Sequence, residues 1–217
     1  MRRLVVALSL TTLTFGFTST SSAATIVWDN GSPDLSNGYF FGYNSAEFIN
    51  DFSLSQSTTL TGVNFWTLSL GAPGNTYWAV YADNAGTPVW GGSPLFTGIA
   101  SAVSIYLGGP VYGLDQYQNF LPINAALGPG NYWLGLGASN LSYWAPSTSG
   151  LIGQLSYIHQ LTTFSDYSSG YISNMTYQEY AFNIEGQTTV PEPGSLALLA
   201  AGLAAVAVRQ SRRLRRR

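Results

Sequence analysis

The chain has 217 residues, and its eight basic residues, all arginine, sit at positions 2, 3 and 209–217. Nine of its ten acids lie between 25 and 189, so that region carries about nine net negative charges and no Lys or Arg; this argues against nucleic-acid binding, phosphoryl transfer by cationic clamps, and docking on an anionic membrane. There is no cysteine, which excludes disulfides, zinc-thiolate sites and thiol nucleophiles.

Met1-Arg2-Arg3 is a short positive start, Leu4 to Phe17 is apolar with Ser and Thr interspersed, and Ser22-Ala23-Ala24 offers small residues for cleavage after Ala24. These parts predict a Sec signal peptide over 1–24, with the Sec translocon and signal peptidase as partners. Residues 25–189 suit a single domain large enough to bury a substantial core. Gly, Ser, Thr, Asn and aromatics dominate it, and no helix-favouring run gathers. Strands are expected at Ile26–Asp29, Tyr39–Tyr43, Glu47–Leu54, Thr59–Leu68, Thr76–Ala82, Leu95–Leu107, Tyr117–Ile123, Tyr132–Leu136, Gln154–Gln160 and Tyr177–Ile184. Turn chemistry separates many of them, as in Gly71-Ala72-Pro73-Gly74-Asn75 and Gly128-Pro129-Gly130. In the fourth, Thr61, Val63, Phe65 and Thr67 alternate with Leu60, Gly62, Asn64 and Trp66, the one-face burial of antiparallel sheets. The expected fold is all-β: an antiparallel β-sandwich, jelly-roll-like, flanked by the signal peptide and a short C-terminal hydrophobic helix. Residues 145–150 and 162–170 read as long surface loops, where binding residues gather.

After a polar spacer, Gly186-Gln187-Thr188-Thr189, the composition changes to Val190-Pro191-Glu192-Pro193, an apolar run from Leu196 to Val208, and Arg209, Arg212, Arg213, Arg215, Arg216 and Arg217. Two prolines hold the motif extended. The apolar run is about 20 Å long as a helix, short of the roughly 20 residues a bilayer core asks for, and the arginines stay cytoplasmic by the positive-inside rule. In all its parts and in their order, segment 190–217 resembles the PEP-CTERM sorting signal of Gram-negative bacteria. The resemblance implies recognition by exosortase, a membrane-embedded transpeptidase-like cysteine protease, with cleavage near Pro191-Glu192-Pro193 and loss of the basic tail. The signal peptide gives Sec export and the short span a transient anchor in the inner membrane; with the resemblance, delivery is expected to the cell surface or matrix, where such proteins accompany exopolysaccharide and biofilm. Residues 25–189 also resemble the β-sandwich ectodomains of such proteins, through Asn50-Asp51-Phe52-Ser53-Leu54, Leu60-Thr61-Gly62-Val63-Asn64-Phe65-Trp66 and Leu127-Gly128-Pro129-Gly130-Asn131-Tyr132-Trp133-Leu134. No catalytic residue is carried over from that likeness.

Sites are sparse. His159 is the only histidine, and no Gly-x-Ser-x-Gly elbow accompanies it. Glu47 with Asp51, and Glu179 with Glu185, share strand faces by period two and are the candidate carboxylate pairs for a glycosidase. Asp29, Asn30 and Asp34 pack oxygens into a turn and are the candidate calcium ligands, although Asp and Asn make turns without a metal; no other cofactor is expected. Trp90, Trp144, Tyr167 and Tyr171 fall in expected loops and are the candidate platforms for sugar rings, whereas Trp66, Trp78 and Trp133 fall within strands and are expected in the core. The expected function is a non-enzymatic, exosortase-processed surface or matrix protein associated with exopolysaccharide. The alternatives are a glycoside hydrolase acting on that matrix and a self-assembling structural protein.

Overall fold

A computed structural model describes residues 23–36, 39–40, 46–89, 93–139, 142–148, 156–163, 166–174, 179–188 and 202–203. The expected signal peptide and sorting segment lie almost wholly outside the described residues. Among the described residues, no helix is long and apolar enough to cross a membrane.

In chain order the strands are β1 (Thr25–Asp29), β2 (Tyr39–Phe40), β3 (Ala46–Leu54), β4 (Thr58–Ser69), β5 (Asn75–Ala82), β6 (Phe96–Ser101), β7 (Val103–Val111), β8 (Leu114–Leu127), β9 (Gly130–Ala138), β10 (Ser142–Trp144), β11 (Tyr157–Thr163), β12 (Asp166–Asn174) and β13 (Phe182–Thr188). Their ladders are antiparallel. They form two sheets. In the first, β4 is central: β8 runs along one side of it, with β7 beyond, and β13 and β10 share the other side end to end. β1 then pairs with β13, and β2 with β10. The second sheet has the order β12-β11-β3-β9-β5-β6.

The inner faces meet in one apolar core. Val63, Phe65, Leu121, Trp144, Phe182 and Ile184 from the first sheet pack against Phe48, Phe52, Val80, Leu134 and Leu136 from the second. Each such side chain stabilises the fold by about 1.5–3 kcal/mol on leaving water, which is how a chain with no disulfide stands. The all-β antiparallel sandwich read from the sequence is the observed architecture.

Three local expectations change. The expected strand Leu95–Leu107 is two strands, because the chain leaves the second sheet for the first at Ala102, whose N–H turns to the Gly74 carbonyl at 3.1 Å. Much of the expected loop 162–170 is strand, in the β11–β12 hairpin. The last strand begins at Phe182, since Tyr180 makes only an isolated bridge to Pro146, and the expected start at Tyr177 lies outside the described residues. Between β7 and β8 the chain reverses at Tyr112 and Gly113, with φ of +52° and +79°. Both central residues are thus left-handed, as the tightest hairpin turns demand, and Gly113 meets that demand without a Cβ clash.

Candidate functional site

Strand alternation decides what the first sheet shows to solvent. Val63 and Phe65 of β4, Leu121 of β8, and Phe182 and Ile184 of β13 face the core. Their neighbours Asn64, Trp66, Gln118, Phe120, Asn183 and Glu185 therefore face outward, and all six are half-buried. The register lines them up: Asn64 stands opposite Asn183 on one side and Phe120 on the other, and Trp66 stands opposite Gln118. The Asn64 amide nitrogen donates to Asn183 Oδ1 at 2.9 Å and to Glu185 Oε1 at 2.8 Å. The Phe120 ring lies over Gly62, where a Cβ would stand 2.2 Å from a ring carbon. A side chain at position 62 would lift that ring. The result is a row of fixed amides and a carboxylate between two aromatic rings, on an open sheet face. Such a face can stack apolar ring surfaces and hydrogen-bond hydroxyls.

The second sheet's outer face is different in kind. Ile49, Tyr77, Ala79, Tyr81 and Trp133 form a buried cluster there, with Tyr157 against it. Glu47 is buried in the same layer. Tyr81 donates its hydroxyl to Glu47 Oε2 at 2.8 Å, Thr97 donates to the Tyr77 hydroxyl at 2.8 Å, and the Trp133 indole N–H donates to Asp83 Oδ1 at 2.8 Å. Gly135 leaves room for Glu47, since a Cβ there would stand 1.7 Å from Oε1. His159 is the register partner of Glu47. Burial, then the Glu47 carboxylate and Tyr77, push the Tyr81 hydroxyl far above the usual tyrosine range. The folded protein therefore keeps a proton that the unfolded chain loses near the ordinary tyrosine pKa of about 10. That contribution to stability is complete below about pH 10 and declines as pH rises further, by up to about 1.4 kcal/mol per pH unit. Denaturant melts at pH 9, 10.5 and 11.5 should show the wild type losing more stability than Tyr81→Phe; parallel losses would disprove the assignment.

The structure redistributes the residues expected from the sequence. Trp144 is a correction: it is 0 % exposed, its indole N–H donates to the Ala181 carbonyl at 2.9 Å, and its ring stacks on Tyr180 with centroids 4.9 Å apart. It reaches no ligand, because β10 turns it inward beside Phe65. Trp66, expected in the core, is instead on the outer face. Trp90 lies outside the described residues, and Tyr167 and Tyr171 are positions of β12 rather than of a loop.

The three candidate calcium ligands make different hydrogen bonds. Asn30 is buried and turns inward, its amide nitrogen donating to Glu179 Oε2 and to the Tyr180 carbonyl at 2.8 Å each. Asp29 Oδ1 accepts the Gly31 N–H, and Asp34 Oδ1 accepts the N–H and hydroxyl of Ser36. Among the described residues, no group of three or more His, Cys, Asp or Glu is placed to hold a metal ion. The pair Glu179–Glu185 is also corrected: Glu185 bonds Asn64 on the outer face, while Glu179 bonds Asn50 between the sheets. Glu179 precedes β13, so the two-residue period does not connect them. Val190, Pro191, Glu192, Pro193 and the six tail arginines lie outside the described residues.

Fold and face together define an antiparallel β-sandwich with an open, aromatic-flanked polar sheet surface. Residues 189–213 match the family model of the PEP-CTERM protein-sorting motif. The chain thus carries a PEP-CTERM sorting signal, which implies export and exosortase-directed sorting to the cell envelope or surface. The match takes in Pro191-Glu192-Pro193, the apolar run and Arg209, Arg212 and Arg213. No curated protein and no solved structure matches the chain.

Proposed function

We propose that this is a non-enzymatic surface or matrix protein that associates with secreted exopolysaccharide in the biofilm, and that the sugar lies on the outer face of the first sheet. On this reading the Sec machinery and signal peptidase release residues 25–217, and exosortase then removes the tail beyond Pro191-Glu192-Pro193. The observation that carries the proposal is the Asn64 amide tying Asn183 and Glu185 into a fixed row between Trp66 and Phe120. A preset row of donors and acceptors lowers the ordering cost of binding, and rings on both sides suit an extended polymer. The sorting motif supports the setting.

A hydrolytic role is less well supported. Glu47 and Glu179 are buried, whereas a glycosidase carboxylate must reach the scissile bond. The cleft of about 260 Å³ beside β1 is lined by Thr25, Ile26, Val27, Leu54, Ser55, Gln56, Thr58 and Thr188, without a titratable side chain.

The test is retention of the exported protein on the exopolysaccharide of its own cells. Trp66→Ala should weaken binding about tenfold, the equivalent of one stacked ring, with little change in the melting curve. Unchanged retention by Trp66→Ala would remove the face from the proposal. A fall in polymer viscosity on adding the protein would replace the proposal with hydrolysis.

A further inference from the structure

We propose that the exported protein pairs with a second copy of itself along the free edge of β7, strand against strand and antiparallel. β7 is the last strand of its sheet and, among the described strands, bonds only β8. Its other edge offers backbone N–H and C=O groups, the template for one more strand. Beside that edge Val103, Ile105 and Tyr106 are 64 %, 59 % and 59 % exposed.

Sheets usually blunt such edges with charge, proline or bulges. Of the other edge strands, β1 and β12 show these devices, whereas β6, the last strand of the second sheet, carries neither charge nor proline. β1 carries Asp29 and a register shift between Ile26 and Trp28, and β12 carries Asp166 with a shift in its ladder to β11. In β7 the protection begins late, with shifts after Tyr106 and with Pro110. From Val103 to Tyr106 the ladder to β8 is regular, with no charge and no proline.

Charge selects the occupant. β5, β6, β7 and β9 contain no charged residue, and β8 has only Asp115, near the hairpin turn. The acids of β1, β3, β12 and β13 lie toward the other side of the sheets. Two copies of so acidic a domain repel through their acidic sides, and the neutral β7 side is where they can meet. The strand is also complementary to itself: a two-fold axis through Ile105 sets Ser104 opposite Tyr106, both within the regular stretch. The contact stands whether or not the sheet face binds sugar.

Sedimentation of the exported protein over a concentration series should show a monomer–dimer equilibrium that tightens as salt is raised, because screening weakens the repulsion between acidic copies. Ile105→Lys enters a two-fold interface twice and should raise the dimer dissociation constant by more than about tenfold. Leu70→Lys, at a residue 70 % exposed in the turn after β4, is the control and should leave it unchanged. Matching thermal melts keep unfolding out of the comparison. A wild type that stays monomeric at millimolar concentration, or an Ile105→Lys variant that dimerises like the wild type, overturns the proposal. So does a monomer whose Ile105→Lys variant loses binding to exopolysaccharide or to lipid vesicles, which would give the edge to those partners.

Discussion

Replacing Trp144 by alanine is expected to lower the unfolding free energy by about 3–5 kcal/mol and to abolish the native fold before it affects any binding surface. The indole is the hub of the core's aromatic cluster. It stacks on Tyr180, meets Phe65 edge-on at 6.2 Å and Phe182 at 6.0 Å, and Tyr180 in turn meets Phe48 of the facing sheet at 5.2 Å. Removing it opens a cavity between the sheets and strips the Ala181 carbonyl of its indole donor. Trp144→Phe keeps most of the volume and should cost about 1–3 kcal/mol, chiefly for the lost hydrogen bond. Urea denaturation followed by circular dichroism reads both values. If Trp144 were a sugar platform, the alanine variant would fold normally and fail only to bind. That outcome would contradict the burial.

The contrast between Trp144 and Trp66 shows what was legible in the sequence. Turn chemistry and alternation were enough for an antiparallel sandwich, because one face of each strand must leave water. They could not say which face of β4 points inward. The sequence groups Leu60 with Asn64 and Trp66, and a leucine on that face argues for a core. A register shift between Leu60 and Gly62 reverses the alternation, so that Leu60 is buried with Val63 and Phe65 while Trp66 points outward. Such a bulge has no sequence mark beyond the glycine. Trp144 misleads for the opposite reason. The proline at 146 and the Ser-Thr-Ser that follows read as a surface loop, yet three residues before them pair with β4 and carry the indole inside. The polar row on the outer face was legible only in part: Asn64 is visibly outward once Val63 and Phe65 are inward, but its partners Asn183 and Glu185 are more than a hundred residues away and are set by register.

The second large effect concerns Glu179. It lies buried between the sheets, in a region of chain with no Lys or Arg, and its carboxylate accepts from the side-chain amides of Asn30 and Asn50. Its backbone carbonyl accepts the Ser147 N–H at 2.8 Å, and the Ser147 hydroxyl donates to the Asn30 carbonyl. One node thus ties the end of β1, the middle of β3, the segment after β10 and the approach to β13. Glu179→Ala leaves two buried amides without their acceptor, at about 1–3 kcal/mol each, so a loss of about 3–5 kcal/mol is expected. Glu179→Gln should behave in the opposite way. Its amide oxygen still accepts from both asparagines. Its new NH2 meets a site where Asn30 Oδ1 and Asn50 Oδ1 are buried without a hydrogen-bond partner, and no ion has to leave water. Replacing buried charge by a well-bonded neutral group is often neutral or stabilising by about 1–4 kcal/mol, so the glutamine variant should equal or exceed the wild type in urea midpoint at unchanged m. A glutamine variant as unstable as the alanine one would mean that the negative charge itself is required, and a charge held there without Lys or Arg calls for a bound cation. Repeating the melt with calcium and then with a chelator would separate the two cases: the wild type should not respond to either if hydrogen bonding alone holds the node.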